Sequence, residues 1–385
     1  MIGSDARSEE RKACVEGTHR TRLPRQTLSW IEPAFEKVGI TRIADVTWLD
    51  EIGIPVYQAI RPDSWSLCVS QGKGLTPDLA KVSAAMESIE LWHAERMNAP
   101  QRTATPRELA GELPYRLGEL ALARRNAVHA GSRLDWSAAT GVRTGTRTWV
   151  PTELVSRDTR VGARWSVPLF AKSTNGLASG NTLNEAVLHG LYEVIERDAL
   201  TRAATATGPP PALDLRTVTG HATSLIDRMR RADIDLRVTL LPSPVGPPCF
   251  RASIWSDALP LVFDGSGCHT DREVALCRAL TEAAQSRLTL IAGTRDDIRE
   301  SHYRRAARAA RLSGSALPAA DDERLAFTDV PTARRPDLTE DLHTTARQVE
   351  AVTGREPLYV DHTRPDLGVP VATVVCPGLR FDPAA

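Results

Sequence analysis

Three times along this chain a short apolar run leads into a glycine-containing segment and then into a long helical pattern. The first copy is SLCVSQGKG (66–74) followed by TPDLAKVSAAMESIELWHAERMN (76–98). The second is WSVPLFAKSTNGLASG (165–180) followed by NTLNEAVLHGLYEVIERDAL (181–200), and the third is GSGCHTD (265–271) followed by REVALCRALTEAAQSRLTLIAG (272–293). Leu79, Val82, Met86, Ile89 and Trp92 recur at helical spacing in the first, and Ala186, Leu188, Leu191, Val194 and Ile195 do so in the second. Thr76 is placed to cap the first helix, with Pro77 at its first position. Such alternation predicts a mixed α/β (α+β) fold. The first two copies are alike enough to suggest an internal duplication.

The remainder of the chain fits around these units. Residues 1–37 are charged and patternless and read as a flexible lead-in; residues 38–385 read as one domain, with its core at 66–293 and a closing strand at 368–380. Two strands around a turn are expected at 38–60. Helix-like and turn-like pieces alternate over 100–160, a Pro-rich surface connection occupies 204–215, and an exposed loop is expected near 313–322.

Composition removes several classes of function. The 48 basic residues balance 48 acidic ones, so there is no global field to attract a polyanion, and nucleic acid is not an expected partner. No apolar stretch approaches the roughly 20 residues of a membrane helix. The opening MIGSDARSEERKACVEG lacks a signal-peptide core, so a cytoplasmic protein is expected. The six cysteines are scattered without a CxxC pair, which excludes a zinc knuckle or dithiol motif. Only five of the basic residues are lysine.

The informative residues are carboxylates at helical spacing. Ser83, Glu87 and Glu90 share one stripe of the first helix. Glu185, His189, Glu193 and Glu196 share one on the second, with Arg197 beside it, and Arg278, Glu282 and Gln285 share one on the third, with Arg287 just past. Solvated helix faces would explain any one stripe. Like charges three residues apart destabilise a helix, however, and ask for a compensating cation. Paired carboxylates suit a hard divalent ion such as Mg²⁺, and glycine segments at helix N-termini suit phosphates. The GKG at 72–74 lacks the GxxxxGK[ST] pattern, so this is not a Walker site.

These segments resemble the YcaO-domain family. GKG with SAAMESIE is similar to its S-x3-E-x2-E block, NGLASGNTLNEAVLHGLYEVIERDA to its N-x3-E-x7-E-x2-E-R block, and RALTEAAQSR to its E-x2-Q-x-R block. VPVATVVCPGL resembles the closing strand and PGL signature. The resemblance implies a YcaO-type fold around a non-Walker site for ATP and Mg²⁺. It implies that Glu87, Glu90, Glu193 and Glu196 hold Mg²⁺, that Ser83, Asn181 and Glu185 contact the nucleotide, and that Arg197 faces the terminal phosphate. Gln285 and Arg287 would close the site, and Lys73 would touch a phosphate. Leu91 follows Glu90 where many members carry arginine, which puts one supporting contact in doubt.

The resemblance also implies a reaction and partners. Members phosphorylate the oxygen of a backbone amide in a ribosomally made precursor peptide. Side-chain attack then gives an azoline by cyclodehydration, sulfide gives a thioamide, and an amine gives an amidine. GITRIADVTWLDEIGIPVYQAIRP (39–62) looks most like the thioamide-forming branch, which works with a TfuA-type sulfur-delivering partner. Azoline formers often end in a proline-rich tail, whereas this chain ends FDPAA. Thioamide formation is therefore the expected reaction. A catalytically silent peptide-binding scaffold is the non-enzymatic alternative, against which the intact acids count. A homodimer is the default expectation for such an enzyme. His189 and His269 are expected to be structural.

Overall fold

The computed structural model describes residues 10–97, 100–124, 127–160, 167–298, 300, 301, 303, 304, 317 and 324–383. The expected loop near 313–322 lies outside them apart from residue 317. Three sheets carry the fold. The first is the antiparallel set β1 (Arg42–Asp45), β2 (Val56–Ile60) and β3 (Val69–Lys73). The second joins β4 (Arg102–Ala104), β5 (Leu134–Gly141), β6 (Arg147–Pro151), β7 (Leu177–Ser179), β13 (Leu358–Asp361) and β14 (Val371–Val375), with β6 pairing β5 off the main path. The third runs β11-β10-β9-β8-β12, from β8 (Ala212–Asp214), β9 (Asp235–Leu240), β10 (Cys249–Trp255), β11 (Phe263–Cys268) and β12 (Arg324–Ala326). The β8–β12 pair is parallel, and the other pairs are antiparallel. The mixed α/β class read from the sequence is the observed one.

Among the described residues the helices of eight residues or more are α1 (Pro24–Ile31), α2 (Pro77–Glu95), α3 (Leu183–Thr205), α4 (His221–Arg231), α5 (Arg272–Ala292) and α6 (Leu338–Thr353). The caps follow sequence rules. Leu79 N–H donates to Thr76 at the start of α2, Glu185 N–H to Thr182 at the start of α3, and Glu273 N–H to Asp271 at the start of α5. Gly293, in the left-handed region at φ 61°, stops α5.

The long helices and the strands close into a ring. Helix α2 packs on β3 and also on β7; α3 packs on β7 and also on β11; α5 packs on β11 and also on β3. Each unit therefore covers its own sheet and touches the strand of the next. The helices lie unusually close to the strands. A Cβ at Gly72 would stand 2.0 Å from Ala84 N, one at Gly180 2.5 Å from Ala186 N, and one at Gly267 2.1 Å from the Ala275 carbonyl oxygen. All three neighbours are helix backbone, which has no side-chain rotation with which to yield.

This corrects four expectations. The glycine segments are not open phosphate-binding loops: Gly72, Gly265 and Gly267 lie within β3 and β11, and their missing side chains admit the helices. In the second unit the strand is Leu177–Ser179, and the apolar run before it contributes only the bridge between Phe170 and Leu122. The 100–160 region holds the β5–β6 hairpin besides the short helical pieces Leu117–Glu119 and Thr152–Val155, because Leu134, Trp136 and Ala139 turn apolar faces inward. Residues 24–38, read as part of a flexible lead-in, form α1 and a following turn that bury Ile31, Ala34 and Val38 against α2.

Gly72→Ala should lower stability by about 2 kcal/mol or more, because helix backbone would have to shift. The same change at solvent-open Gly145, where φ is 69° and nothing lies within 4 Å, should produce only the smaller backbone strain. Parallel thermal melts of the two variants check the difference.

Candidate active site

The ring brings the three stripes to one centre. Ser83, Glu87 and Glu90 on α2, His189, Glu193 and Glu196 on α3, and Arg278, Glu282 and Gln285 on α5 occupy matching positions i, i+4 and i+7. The last member of each stripe reaches the next unit's strand. Glu90 accepts hydrogen bonds from Ser179 N–H (2.8 Å) and Ser179 Oγ (2.6 Å). Glu196 accepts from Ser266 Oγ at 2.7 Å, and Gln285 Nε2 donates to the Gln71 carbonyl at 3.0 Å. Gln71, Ser179 and Ser266 each directly precede a helix-contacting glycine, so one local design recurs in all three units.

The middle members hold the charge. Glu87 accepts from Gln71 N–H at 3.1 Å, and Glu282 accepts from Lys73 Nζ at 2.7 Å. Burial raises the Glu87 carboxyl, against the opposing pull of Arg295 and Lys73. Burial pushes Glu90 up to about 8, with Glu87 and Glu193 adding like-charge repulsion against the Ser179 hydroxyl. Burial also pushes Glu193 up to about 7, although Arg197 opposes it. Glu196 is raised by burial and by Glu282. Glu282 alone goes down: burial acts upward, but Lys73, Arg197 and Arg278 together outweigh it. The set is thus short of positive charge in its ionised form.

That donor set fits Mg²⁺. The oxygens are hard, the ionised form is disfavoured without a cation, and Glu90 on α2 lies within electrostatic reach of Glu193 on α3. Among the described residues no group of three or more His, Cys, Asp or Glu side chains stands close enough to hold an ion by itself. An ion here must complete its shell from water or phosphate oxygens, as Mg²⁺ commonly does. Arg197 is half-buried beside Glu193, Glu196 and Glu282, whose charges raise it against burial.

The other expected site residues are placed differently. Asn181 Nδ2 donates to Glu185 at 2.9 Å, and both are held by the N-terminal segment: Thr27 Oγ1 donates to Asn181 at 2.7 Å, and Thr21 N–H and Oγ1 donate to Glu185 at 2.9 and 2.8 Å. Arg287 turns away from the carboxylates. Its Nε donates to Asp50 at 2.9 Å and its Nη1 to Ser256 Oγ at 3.0 Å, in a buried brace under α5. Five helical positions separate it from Glu282, which sends the two side chains to different faces. Glu282 and Arg278 had been legible as members of the third stripe without being assigned to the site. Ser179 and Ser266 carried no sequence signal, and Arg295 lies past the end of α5 with none either.

With this geometry in hand, the comparisons are specific. The model of the YcaO cyclodehydratase family, described as ATP- and Mg²⁺-binding, matches residues 71–380. An uncharacterised protein of Mycobacterium tuberculosis (strain ATCC 25618 / H37Rv) is 40% identical over 375 residues, covering 96% of this chain and 84% of its own. An uncharacterised protein from the tfuA 3′ region of Rhizobium leguminosarum bv. trifolii is 36% identical, covering 94% of this chain and 89% of its own. The structure of YcaO from Methanopyrus kandleri bound with AMPPCP and Mg²⁺ superposes with a TM-score of 0.74 at 25% identity, covering 96% of this chain and 94% of that one. The chain belongs to the YcaO family. Its cofactors are ATP and Mg²⁺, and its fold is that of the YcaO structures. Among the described residues no helix is long and apolar enough to cross a membrane.

The raised carboxyls set a pH dependence. Folded Glu90 binds its proton more tightly than an ordinary glutamate does. Its unfavourable ionisation therefore enters as pH rises through the range between about 4.5 and about 8. Relative to Glu90→Gln, the cation-free protein should lose melting temperature over that range, and Mg²⁺ should restore more of that difference at pH 8 than at pH 6. Glu90→Gln should flatten the loss. Melts of both proteins across pH with and without Mg²⁺ test this, and a wild-type Tm that does not fall relative to that of Glu90→Gln in the absence of Mg²⁺ would contradict it.

Proposed function

We propose that the chain uses ATP to activate a backbone amide of a ribosomally made precursor peptide, with sulfide as nucleophile and a thioamide as product. The coarse reading rests on family membership and on the carboxylate centre. The observation that favours sulfide is the Rhizobium relative from the tfuA 3′ region, which agrees with the resemblance of residues 39–62 to the TfuA-associated branch.

An amide carbonyl is a weak electrophile, and its oxygen is a poor leaving group. Sulfide adds to the carbonyl carbon, the carbonyl oxygen takes the γ-phosphoryl group, and the C–O bond then breaks with loss of phosphate to leave C=S. Bound ATP with Mg²⁺ supplies the phosphoryl group and offsets the charge that gathers around it. The chain's own part is positioning and electrostatics. Glu87, Glu90, Glu193 and Glu196 hold the ions, and Ser83, Asn181, Glu185 and Lys73 orient the nucleotide. Arg197 faces the terminal phosphate and Gln285 ties the ring shut. Arg287 acts as a positioning residue through its brace to Asp50 and Ser256. Residues 38–385 form a single catalytic domain that works as a homodimer with a TfuA-type partner delivering sulfur.

Incubation with precursor peptide, ATP, Mg²⁺, sulfide and the partner should add about 16 Da per modified residue, as sulfur replaces oxygen after phosphoryl activation. Loss of about 18 Da without sulfide would overturn the thioamide reading in favour of azoline formation through the same activated amide. Glu193→Gln and Glu87→Gln should abolish ATP consumption without lowering the cation-free melting temperature. A collapse of stability in both variants would make these glutamates structural.

A further inference from the structure

Arg278 takes no part in the assignments above, yet the ring places it where a ligand contact belongs. It is the first member of the α5 stripe and so the counterpart of Ser83 on α2 and His189 on α3. It is half-buried, and its Nε is fully enclosed without a hydrogen-bond partner. Among the described residues no side chain pairs with its guanidinium, although Glu282 lies one turn along the same helix. Lys73 has taken Glu282 instead, at 2.7 Å. The Arg278 charge nonetheless lowers the carboxyls of Glu193, Glu196 and Glu282, so it stands beside the acidic centre.

Arg278 lines a small cavity together with His19, Arg20, Glu185 and His189. Two other enclosed nitrogens without partners, His19 Nδ1 and His189 Nδ1, belong to residues of the same cavity. Three orphaned polar atoms on one cavity are the mark of a place that an outside group completes. Arg20 already leans on Glu185 at 3.6 Å, whereas Arg278 has no anion of its own. An enclosed guanidinium nitrogen without an acceptor is disfavoured, and an anionic oxygen offsets both the charge and the unmet donor. The carboxylates cannot supply one while they hold cations.

We infer that Arg278 binds an anionic oxygen of the nucleotide's phosphate chain. The assignment rests on the nucleotide reading of the carboxylate centre. It makes the third stripe a ligand-binding face: Arg278 meets phosphate, Glu282 anchors Lys73, and Gln285 ties α5 to β3.

The test is calorimetry on the full chain with Mg²⁺ and tripolyphosphate, with adenosine as a second probe, for wild type, Arg278→Gln and Arg278→Lys. Wild type should bind Mg²⁺–tripolyphosphate, and Arg278→Gln should bind it about tenfold more weakly or worse, as loss of a charged hydrogen bond implies. Adenosine binding should be unchanged, and Arg278→Lys should fall between. The ligand-free melting temperature of Arg278→Gln should equal or exceed that of wild type, since an unpartnered charge has been removed. Undiminished tripolyphosphate binding by Arg278→Gln would overturn the assignment alone. A fall in ligand-free melting temperature in both variants would overturn it in favour of a structural role. Failure of wild type to bind tripolyphosphate or ATP would overturn the nucleotide reading on which it depends.

Discussion

Burial of carboxylates that also repel one another governs this molecule. Glu87, Glu90, Glu193 and Glu196 are drawn together where water screens poorly, and in each the ionised form is disfavoured. A fold that depended only on its own stability would disperse these groups. The ring holds them at one centre because each rides on a helix whose opposite face is buried in a sheet. Apolar packing on the far face offsets the electrostatic strain on the near one. A cation entering the centre relieves the strain, so binding energy is stored in the empty protein as repulsion.

The close approach of helix to strand makes this arrangement stiff. With glycine at positions 72, 180 and 267, helix backbone lies where a side chain would otherwise stand. A helix seated that tightly cannot slide or roll, so the carboxylates it carries keep their positions when charge accumulates. The hydrogen bonds from each stripe to the following strand add direction: Glu90 to Ser179, Glu196 to Ser266 and Gln285 to Gln71. Packing sets the radius of the ring, and these bonds set its register.

The helices and their stripes were legible in the sequence because period 3.6 survives any context, and the caps Thr76, Thr182 and Asp271 are strictly local. The closing strand was legible for the same kind of reason, as a continuous apolar run. The glycine segments were misread because GKG and GSG look alike as loop or as tightly packed strand. Only the partner surface decides, and that surface is tens of residues away. Arg287 was misplaced by a motif whose letters do not say which face of the helix each one occupies. Thr21 and Thr27 could not be found at all, because their partners Glu185 and Asn181 lie more than 150 positions along the chain.

Those distant contacts change what the N-terminal segment is. Thr21 and Thr27 hold Glu185 and Asn181, Glu10 accepts from Thr182 Oγ1 at 2.6 Å, and Lys12 pairs with buried Asp341 at 2.5 Å. Glu185 and Asn181 therefore stand where they do through side chains that the rest of the ring does not supply. The segment also contributes Thr18, His19 and Arg20 to the wall of the cavity that Arg278 lines. The segment thus adds hydrogen bonds to a pair, Asn181 and Glu185, that already bond each other. The equal totals of acid and base hide this division of labour. The carboxylates are concentrated on α2 and α3, and the cations that face them come from β3, from α3 itself, from α5 and from a segment that the sequence alone made look unattached.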